Sequence, residues 1–181
     1  MTGPYWTISN ALSFMRIVLT FPLALLLLRR DPGDQTTLAG LVVALILTDL
    51  LDGQIARRLR QVTEIGKIVD PLADKIAVGT IAVILVIQER IPLWFVVMTL
   101  VRDIFILVGG IYIRNRKGIL LQSHVVGKWA VTSLAAFLFV SMMDVSQASW
   151  WWTGLLYLSV AMMAISFAVY AQRFLRIISG R

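Results

Sequence analysis

The sequence has 181 residues, of which 59% are hydrophobic, and a formal net charge of +7. Water-soluble domains are about 45–50% apolar, so the composition excludes an ordinary soluble globular protein and predicts one integral membrane domain over residues 1–181. The basic charge is expected to lie in the inner loops of a membrane protein, and we expect no nucleic-acid partner. The absence of cysteine excludes disulfides and thiolate metal sites.

The apolar stretches predict an all-α fold of six transmembrane helices, because a helix needs about 20 mostly apolar residues to cross a bilayer. Residues 1–10 carry neither a basic leader nor a cleavage site, so we expect a short interfacial segment there and no cleaved signal. The spans are predicted at residues 11–29, 37–57, 68–88, 91–113, 125–143 and 150–172.

The connections between the spans predict how the chain is oriented. Most of the arginines and lysines fall on one side, which should be cytoplasmic and should hold both termini. We expect a multi-pass membrane protein, and the expected location is a bacterial inner membrane. The tryptophans at 150–152 are expected to form an aromatic belt at the opposite membrane edge. Turns and polar loops are indicated at residues 29–35, 88–92, 114–124 and 144–149.

Four aspartates lie beside apolar stretches, where charge is costly. Asp49 and Asp52 are three residues apart near the inner end of the second span, and Asp70 and Asp74 are four apart near the inner end of the third. Each pair therefore shares one helix face. Four like charges would repel one another without cations, and carboxylate oxygens suit hard ions such as Mg²⁺ or Mn²⁺. The pattern predicts a site for two such ions, with the cytoplasmic side of the membrane as its location.

Two structural alternatives apply to the same aspartates. Asp70 precedes Pro71 and would cap a helix that begins at this proline. The aspartates would otherwise form an ion-pair network with nearby basic side chains, namely Arg57, Arg58, Lys67 and Lys75.

The residues around the aspartates also suit a phosphate ligand. Gly53 and Ala56 are small and would let a ligand approach the backbone. Arg57 supplies a fixed cation suited to a phosphate. Thr63 and Gly66 add a hydroxyl and a flexible joint in the connection between the two helices.

The spacing of these residues resembles, without a gap, the signature of the CDP-alcohol phosphotransferases, which also have six membrane helices. Members of this family move a substituted phosphate from a CDP-alcohol to the hydroxyl of a second alcohol and release CMP. The resemblance extends over essentially the whole chain. The matching pattern is Asp49-x2-Asp52-Gly53-x2-Ala56-Arg57-x8-Gly66-x3-Asp70-x3-Asp74.

The resemblance implies roles for these residues. Asp49, Asp52 and Asp70 would bind the two metal ions, while Asp74 would bind metal and act as the general base. The family also implies a homodimer. The residues implied to contact the CDP-alcohol are Gly53, Ala56, Arg57, Thr63 and Gly66.

A second element near the N-terminus is similar to the family pattern PNxLTxxR. In the segment SNALSFMR, Asn10 and Arg16 match this pattern, Ser13 replaces threonine and Ser9 replaces proline. Asn10 and Ser13 are thereby implied to contact the CDP-alcohol.

The segments at 70–75 and 101–118 resemble two branches of the family, phosphatidylglycerophosphate synthase and cardiolipin synthase. Both use CDP-diacylglycerol. Glycerol 3-phosphate is the favoured acceptor, and phosphatidylglycerol is the alternative. The candidate acceptor-binding residues are Arg102, Asp103, Arg114 and Lys128.

Each acceptor candidate has a structural alternative. Arg102 and Asp103 would hold the helices together through polar pairing, Arg114 would belong to a basic inner loop, and Lys128 would extend to the head groups. Gly109 and Gly110 are expected to ease helix packing.

A different class of function, an ion-coupled membrane carrier, would also place acids within a helical bundle. Carriers usually show repeated halves and helices broken at the membrane midplane, and neither pattern is evident in this sequence.

Overall fold

The structure is a computed structural model that describes residues 8–29, 31–45, 47, 66–118, 125–143 and 145–179. Every element in these ranges is a helix, as the all-α prediction requires. The elements are α1 (Ile8–Arg29), a short 3₁₀ helix (Pro32–Asp34), α2 (Gln35–Leu45), α3 (Gly66–Ile87), α4 (Leu93–Lys117), α5 (Val125–Met142) and α6 (Trp150–Ile178).

Three of these helices, α4, α5 and α6, are long and apolar enough to cross a membrane. They correspond to the last three of the six predicted spans. The first and third predicted spans coincide with α1 and α3, and the described part of the second is the shorter apolar helix α2. Six membrane crossings therefore remain a prediction.

Two predicted turns are confirmed. After α1 ends at Arg29, the Asp31 side chain accepts a hydrogen bond of 2.9 Å from the Gly33 amide and caps the 3₁₀ helix. Between α3 and α4, Glu89 has a φ of 58°, the left-handed conformation of a tight turn. Arg90 Nη1 donates to the Met142 carbonyl at 3.0 Å and ties this turn to the end of α5.

The alternative in which Asp70 caps a helix that begins at Pro71 is wrong. Helix α3 begins at Gly66, so Asp70 and Pro71 both lie inside its backbone. Pro71 is the sixth residue of α3 and, having no amide proton, omits one hydrogen bond in the second turn of the helix. Asp70 therefore does not occupy the N-cap position.

The chain separates into two compact units, residues 1–88 and 89–181. In the first unit, α1 packs against α3. Leu23 and Leu85 are fully buried, and the Gln88 side-chain amide donates to the Leu27 carbonyl. Function as one domain over 1–181 stays a prediction.

In the second unit, α6 packs against both α4 and α5. Each of these helices contributes one buried ring to a central aromatic cluster. The ring centroids of Phe95 and Phe137 are 4.9 Å apart, and those of Phe137 and Trp152 are 5.3 Å apart. The cluster places Trp152 in the core, so the prediction of a belt formed by all three tryptophans is wrong for this residue. Trp150 and Trp151 are exposed and stack on each other.

Two further aromatic pairs show that α4 and α6 run in the same direction. Phe105 contacts Phe167, and Tyr112 contacts Phe174, with ring centroids 6.1 and 6.0 Å apart. The second contact lies seven residues beyond the first on both helices, or about 10.5 Å along each axis.

Candidate functional site

Part of the predicted metal and nucleotide site lies outside the described residues, so its geometry stays a prediction. Two aspartates and four of the predicted CDP-alcohol contacts fall in this part of the chain. They are Asp49, Asp52, Gly53, Ala56, Arg57 and Thr63.

The second aspartate pair lies on α3, as the spacing predicts. Asp70 and Asp74 are separated by about one turn of a continuous helix that starts at Gly66, so both positions are on one face. The Asp74 side chain is described and is half-exposed, with 51% of its surface accessible. The helix therefore presents a carboxylate of the predicted site to the surroundings.

Asp74 forms an ion pair with Arg16, which lies on α1. Arg16 Nη1 donates to Asp74 Oδ1, and Arg16 is buried, with 5% of its surface exposed. The Thr20 hydroxyl donates to the Arg16 carbonyl at 2.7 Å. The packing of α1 on α3 thus brings the N-terminal element and the aspartate motif together.

Arg16 was expected only as a match to the N-terminal pattern, and its pairing with Asp74 was missed. A signal existed, because an arginine inside an apolar helix calls for an acidic partner. Ser13 and Asn10 lie on α1 at one-turn intervals before Arg16. Their side chains fall outside the described part of the structure.

The donor chemistry of the described part fits a hard divalent ion, since Asp74 offers carboxylate oxygen. Asp70 stands one turn away on the same face of α3. Within the described ranges, no group of three or more histidine, cysteine, aspartate or glutamate side chains lies together. Asp49 and Asp52 lie outside those ranges and only the backbone of Asp70 is described, so two-metal binding remains a prediction.

The acceptor candidates lie in the second unit. Arg102 Nη1 donates to Asp103 Oδ1 at 2.7 Å, and Nη2 donates to the hydroxyl of Ser166, a fully buried residue of α6. The Arg102 Nε is buried and has no hydrogen-bond partner among the described residues. Polar pairing between helices, the structural alternative for Arg102, is therefore present.

Arg102 also faces a cavity, which we call the basic cavity. It has a volume of about 400 Å³ and brings Arg102 together with Lys128, which lies in the first turn of α5. Asp103 does not line it, and Arg114 is exposed in the last turn of α4. The other lining residues, which were not predicted, are Ile106, Gly127, Val131, Thr132 and Tyr170.

Two cations at one cavity give it the chemistry of an anion site. An arginine held by Asp103 and Ser166 offers a fixed donor geometry, while a lysine offers a mobile point charge. The hydroxyl-bearing residues Thr132 and Tyr170 add polar groups. No sequence signal singled out Tyr170, because a tyrosine within an apolar helix is usually a packing residue.

Comparison with known proteins identifies relatives over most of the chain. The sequence model of the CDP-alcohol phosphatidyltransferase family matches residues 6–170. A probable cardiolipin synthase (CMP-forming) of Drosophila melanogaster is 37% identical over 60% of this chain and 33% of that protein.

Two bacterial relatives carry the two names expected from the segments at 70–75 and 101–118. A CDP-diacylglycerol–glycerol-3-phosphate 3-phosphatidyltransferase of Aquifex aeolicus is 39% identical over 61% of each chain. A cardiolipin synthase (CMP-forming) of Streptomyces coelicolor is 33% identical over 83% of this chain and 80% of that protein.

The match therefore spans about a third of the Drosophila protein and about three-fifths of the Aquifex protein. The family match, in contrast, extends over residues 6–170, nearly the whole of the present chain. It includes the complete aspartate motif and both helices that carry the Arg16–Asp74 pair. This chain belongs to the CDP-alcohol phosphatidyltransferase family.

Proposed function

We propose that this protein is a phosphatidyltransferase that moves the phosphatidyl group of CDP-diacylglycerol to glycerol 3-phosphate and releases CMP. The observation that carries the proposal is the family match over residues 6–170. The Aquifex relative, which is named for this reaction, adds support for the acceptor. Family membership also argues against an ion-coupled carrier.

Asp74 is proposed as the general base. Its carboxylate would take the proton of the acceptor hydroxyl while the hydroxyl oxygen forms a bond to the lipid-bearing phosphorus and the bond to CMP breaks. Arg16 would hold Asp74 at a fixed position, because the two side chains are paired across α1 and α3.

The cofactor is proposed to be two Mg²⁺ or Mn²⁺ ions, held by Asp49, Asp52, Asp70 and Asp74. When bound, such ions stabilise negative charge on the reacting phosphates and on the leaving group. The proposed contacts to the nucleotide and its diphosphate come from Gly53, Ala56, Arg57, Thr63 and Gly66, with Asn10 and Ser13 from α1.

The basic cavity is the proposed binding site for the acceptor phosphate. Lys128 and Arg102 would neutralise the phosphate. Asp103 would act indirectly, through its bond to Arg102, while Arg114 would attract anions at the exposed end of α4.

Phosphatidylglycerol is a second candidate acceptor, which would make the enzyme a cardiolipin synthase. The Streptomyces relative supports it, because that protein carries this name and the match covers 80% of its length. We also propose a homodimer in a bacterial inner membrane, with the active site and both termini on the cytoplasmic side.

The proposal is tested by measuring CMP release from CDP-diacylglycerol by the detergent-purified protein. Separate reactions contain glycerol 3-phosphate or phosphatidylglycerol, each with Mg²⁺, Mn²⁺ or chelator. We expect release that needs metal and is fastest with glycerol 3-phosphate. Identification of the lipid product by mass spectrometry names the acceptor directly.

A substitution tests the base. Asp74→Asn should still fold, because the amide oxygen can accept the hydrogen bond from Arg16, and turnover should fall about 10³-fold. Asp34→Asn, in the 3₁₀ helix, is the matched control and should retain activity. A folded Asp74→Asn protein with wild-type turnover would refute the assignment.

A further inference from the structure

Tyr170 of α6 lies at the boundary between the basic cavity and a second cavity, which we call the apolar cavity. The apolar cavity has a volume of about 430 Å³ and is lined mainly by aromatic and aliphatic side chains of α4 and α6. Tyr170 and Ile106 line both cavities. The tyrosine, which is half-buried, therefore borders an apolar space on one side and two cations on the other.

The hydroxyl of Tyr170 lies on the side of the basic cavity. A Cβ atom at Gly127 would be 3.2 Å from Tyr170 Oη and 3.4 Å from Cε2. Gly127 lines the basic cavity and does not line the apolar one. Lys128 follows Gly127 directly in the first turn of α5. The phenol oxygen is thus next to the backbone that carries one of the two cations.

Gly127 is the residue that allows the hydroxyl to lie there. Of the glycines that the structure describes, Gly127 leaves the least room for a side chain, since a Cβ atom at Gly109 would be 3.4 Å from its nearest neighbour. Gly127 lies within α5, where glycine is a poor helix former and alanine a good one. The close approach of Tyr170 gives a physical reason for a glycine at this position.

The chemistry of the basic cavity indicates what this hydroxyl binds. Arg102 and Lys128 donate hydrogen bonds and accept none, so they suit a phosphate but leave the proton of an alcohol without a partner. Two side chains that line the cavity carry a neutral hydroxyl, Thr132 and Tyr170, and a hydroxyl can both donate and accept. Thr132 is exposed, whereas Tyr170 is half-buried and lies against Gly127. Tyr170 therefore has the better-defined position.

We infer that Tyr170 is a specificity-determining residue whose hydroxyl binds the non-reacting hydroxyl of a polyol phosphate acceptor. In glycerol 3-phosphate this is the hydroxyl on C2. Arg102 and Lys128 bind the phosphate, and Gly127 is a positioning residue that acts through Tyr170. The inference deepens the proposed function and rests on it, because it requires the acceptor to occupy the basic cavity.

The test compares glycerol 3-phosphate with 3-hydroxypropyl phosphate, which has the same phosphate and the same terminal hydroxyl but lacks the hydroxyl on C2. CMP release is measured with each acceptor at saturating CDP-diacylglycerol, and the ratio of the two kcat/KM values gives the discrimination. We expect the wild-type protein to favour glycerol 3-phosphate by about tenfold, mainly through KM, which is the effect of one hydrogen bond. A wild-type ratio of about one overturns the inference without any variant.

Two substitutions and their combination test the residues. Tyr170→Phe should reduce the ratio to about one, because it lowers kcat/KM for glycerol 3-phosphate and leaves that for the analogue unchanged. Gly127→Ala should reduce the ratio by a smaller factor, since the added Cβ displaces the hydroxyl without removing it. The double variant should match Tyr170→Phe alone, because no hydroxyl then remains to be displaced.

Matched controls are available on the same helix as Tyr170. Tyr157→Phe changes an exposed tyrosine of α6 that lines neither cavity. Gly154→Ala adds a Cβ atom that meets nothing within 4 Å. Both control variants should keep the wild-type ratio.

A merely structural role for Tyr170 would give a different pattern. Tyr170→Phe would then slow the reaction equally with both acceptors, and its effect would add to that of Gly127→Ala; either result in folded protein overturns the inference. Wild-type turnover separates this from a failure of the proposed function. CMP release with an unchanged ratio in Tyr170→Phe would overturn the inference alone, whereas no release with glycerol 3-phosphate would overturn the proposed function and the inference with it.

Discussion

Arg16 and Asp74 combine a buried cation with a half-exposed carboxylate. An ion-pair partner offsets part of the cost of burying a charge. Asp74 therefore stabilises the buried Arg16, in addition to being oriented by it. This asymmetry separates the expected effects of substitution at the two positions. Loss of Arg16 leaves a half-exposed carboxylate, while loss of the acid removes one partner of a buried guanidinium.

Arg16→Ala should therefore lower activity more than stability. We expect kcat to fall at least about tenfold, with a smaller change in KM and a fold retained in detergent. Arg16→Lys should restore part of kcat, because a positive charge returns near Asp74. Steady-state kinetics of both variants measure this, with Arg29→Ala at the exposed end of α1 as the control. Equal kcat values for the Ala, Lys and wild-type proteins would exclude a positioning role.

At the scale of single residues, the sequence spacing predicted relations between residues of the same helix. The common face of Asp70 and Asp74 follows from a four-residue interval once the segment is helical. The Arg16–Asp74 pair joins residues 58 positions apart, and no local pattern specifies which arginine meets which acid. The predicted span from residue 68 lies within two residues of the start of α3 at Gly66, whereas the alternative start at Pro71 was wrong although Asp–Pro is a common N-terminal signal.

Among the helices, the cluster of Phe95, Phe137 and Trp152 joins α4, α5 and α6. Association of membrane helices depends on van der Waals packing more than on removal of apolar surface from water. A ring that contacts two other rings should then contribute more to stability than an equally apolar side chain on the outer face of the same unit.

Phe137→Ala is expected to destabilise the protein by about 3 kcal/mol, since truncation of a buried aromatic residue leaves a cavity. Phe137 has no exposed surface. Thermal unfolding in detergent, followed by loss of the folded peak in gel filtration, measures the effect. Leu158→Ala, on an exposed part of α6, serves as the control and should leave the midpoint nearly unchanged. Similar midpoints for both variants would show that the cluster does not anchor the unit.

Predictions about the connections between helices were confirmed where the residue types themselves favour a turn. The turns at 29–35 and 88–92 contain the residues that turns require, and both are present. The prediction of an aromatic belt was wrong for Trp152, because three identical consecutive side chains have no periodicity that indicates which of them faces the core. Only the packing of α6 on α5 determines that Trp152 turns inward while its two neighbours remain exposed.

For the whole molecule, the predicted orientation can be measured with unusually little background. The sequence has no cysteine, so a single introduced cysteine is the only thiol. Lys117→Cys places the thiol at the end of α4, before α5, and Ala148→Cys places it after α5, before α6. Both positions are exposed. In intact bacterial cells, a membrane-impermeant maleimide should label the thiol at 148, and should label the thiol at 117 only after permeabilisation. The reverse pattern would invert the proposed topology.

The spacing of the aromatic pairs links the lengths of two segments that lie far apart in the sequence. Phe105 and Tyr112 on α4 are separated by the same seven residues as Phe167 and Phe174 on α6. Inserting one residue between Phe105 and Tyr112 would rotate the second ring by about 100° around α4 and separate it from Phe174, unless α6 gained a residue as well. During evolution, an insertion or deletion in one of these intervals should therefore be matched by one in the other, or be absent from both. A related sequence that keeps both intervals would be expected to keep both aromatic contacts between α4 and α6, whatever changes occur in its loops.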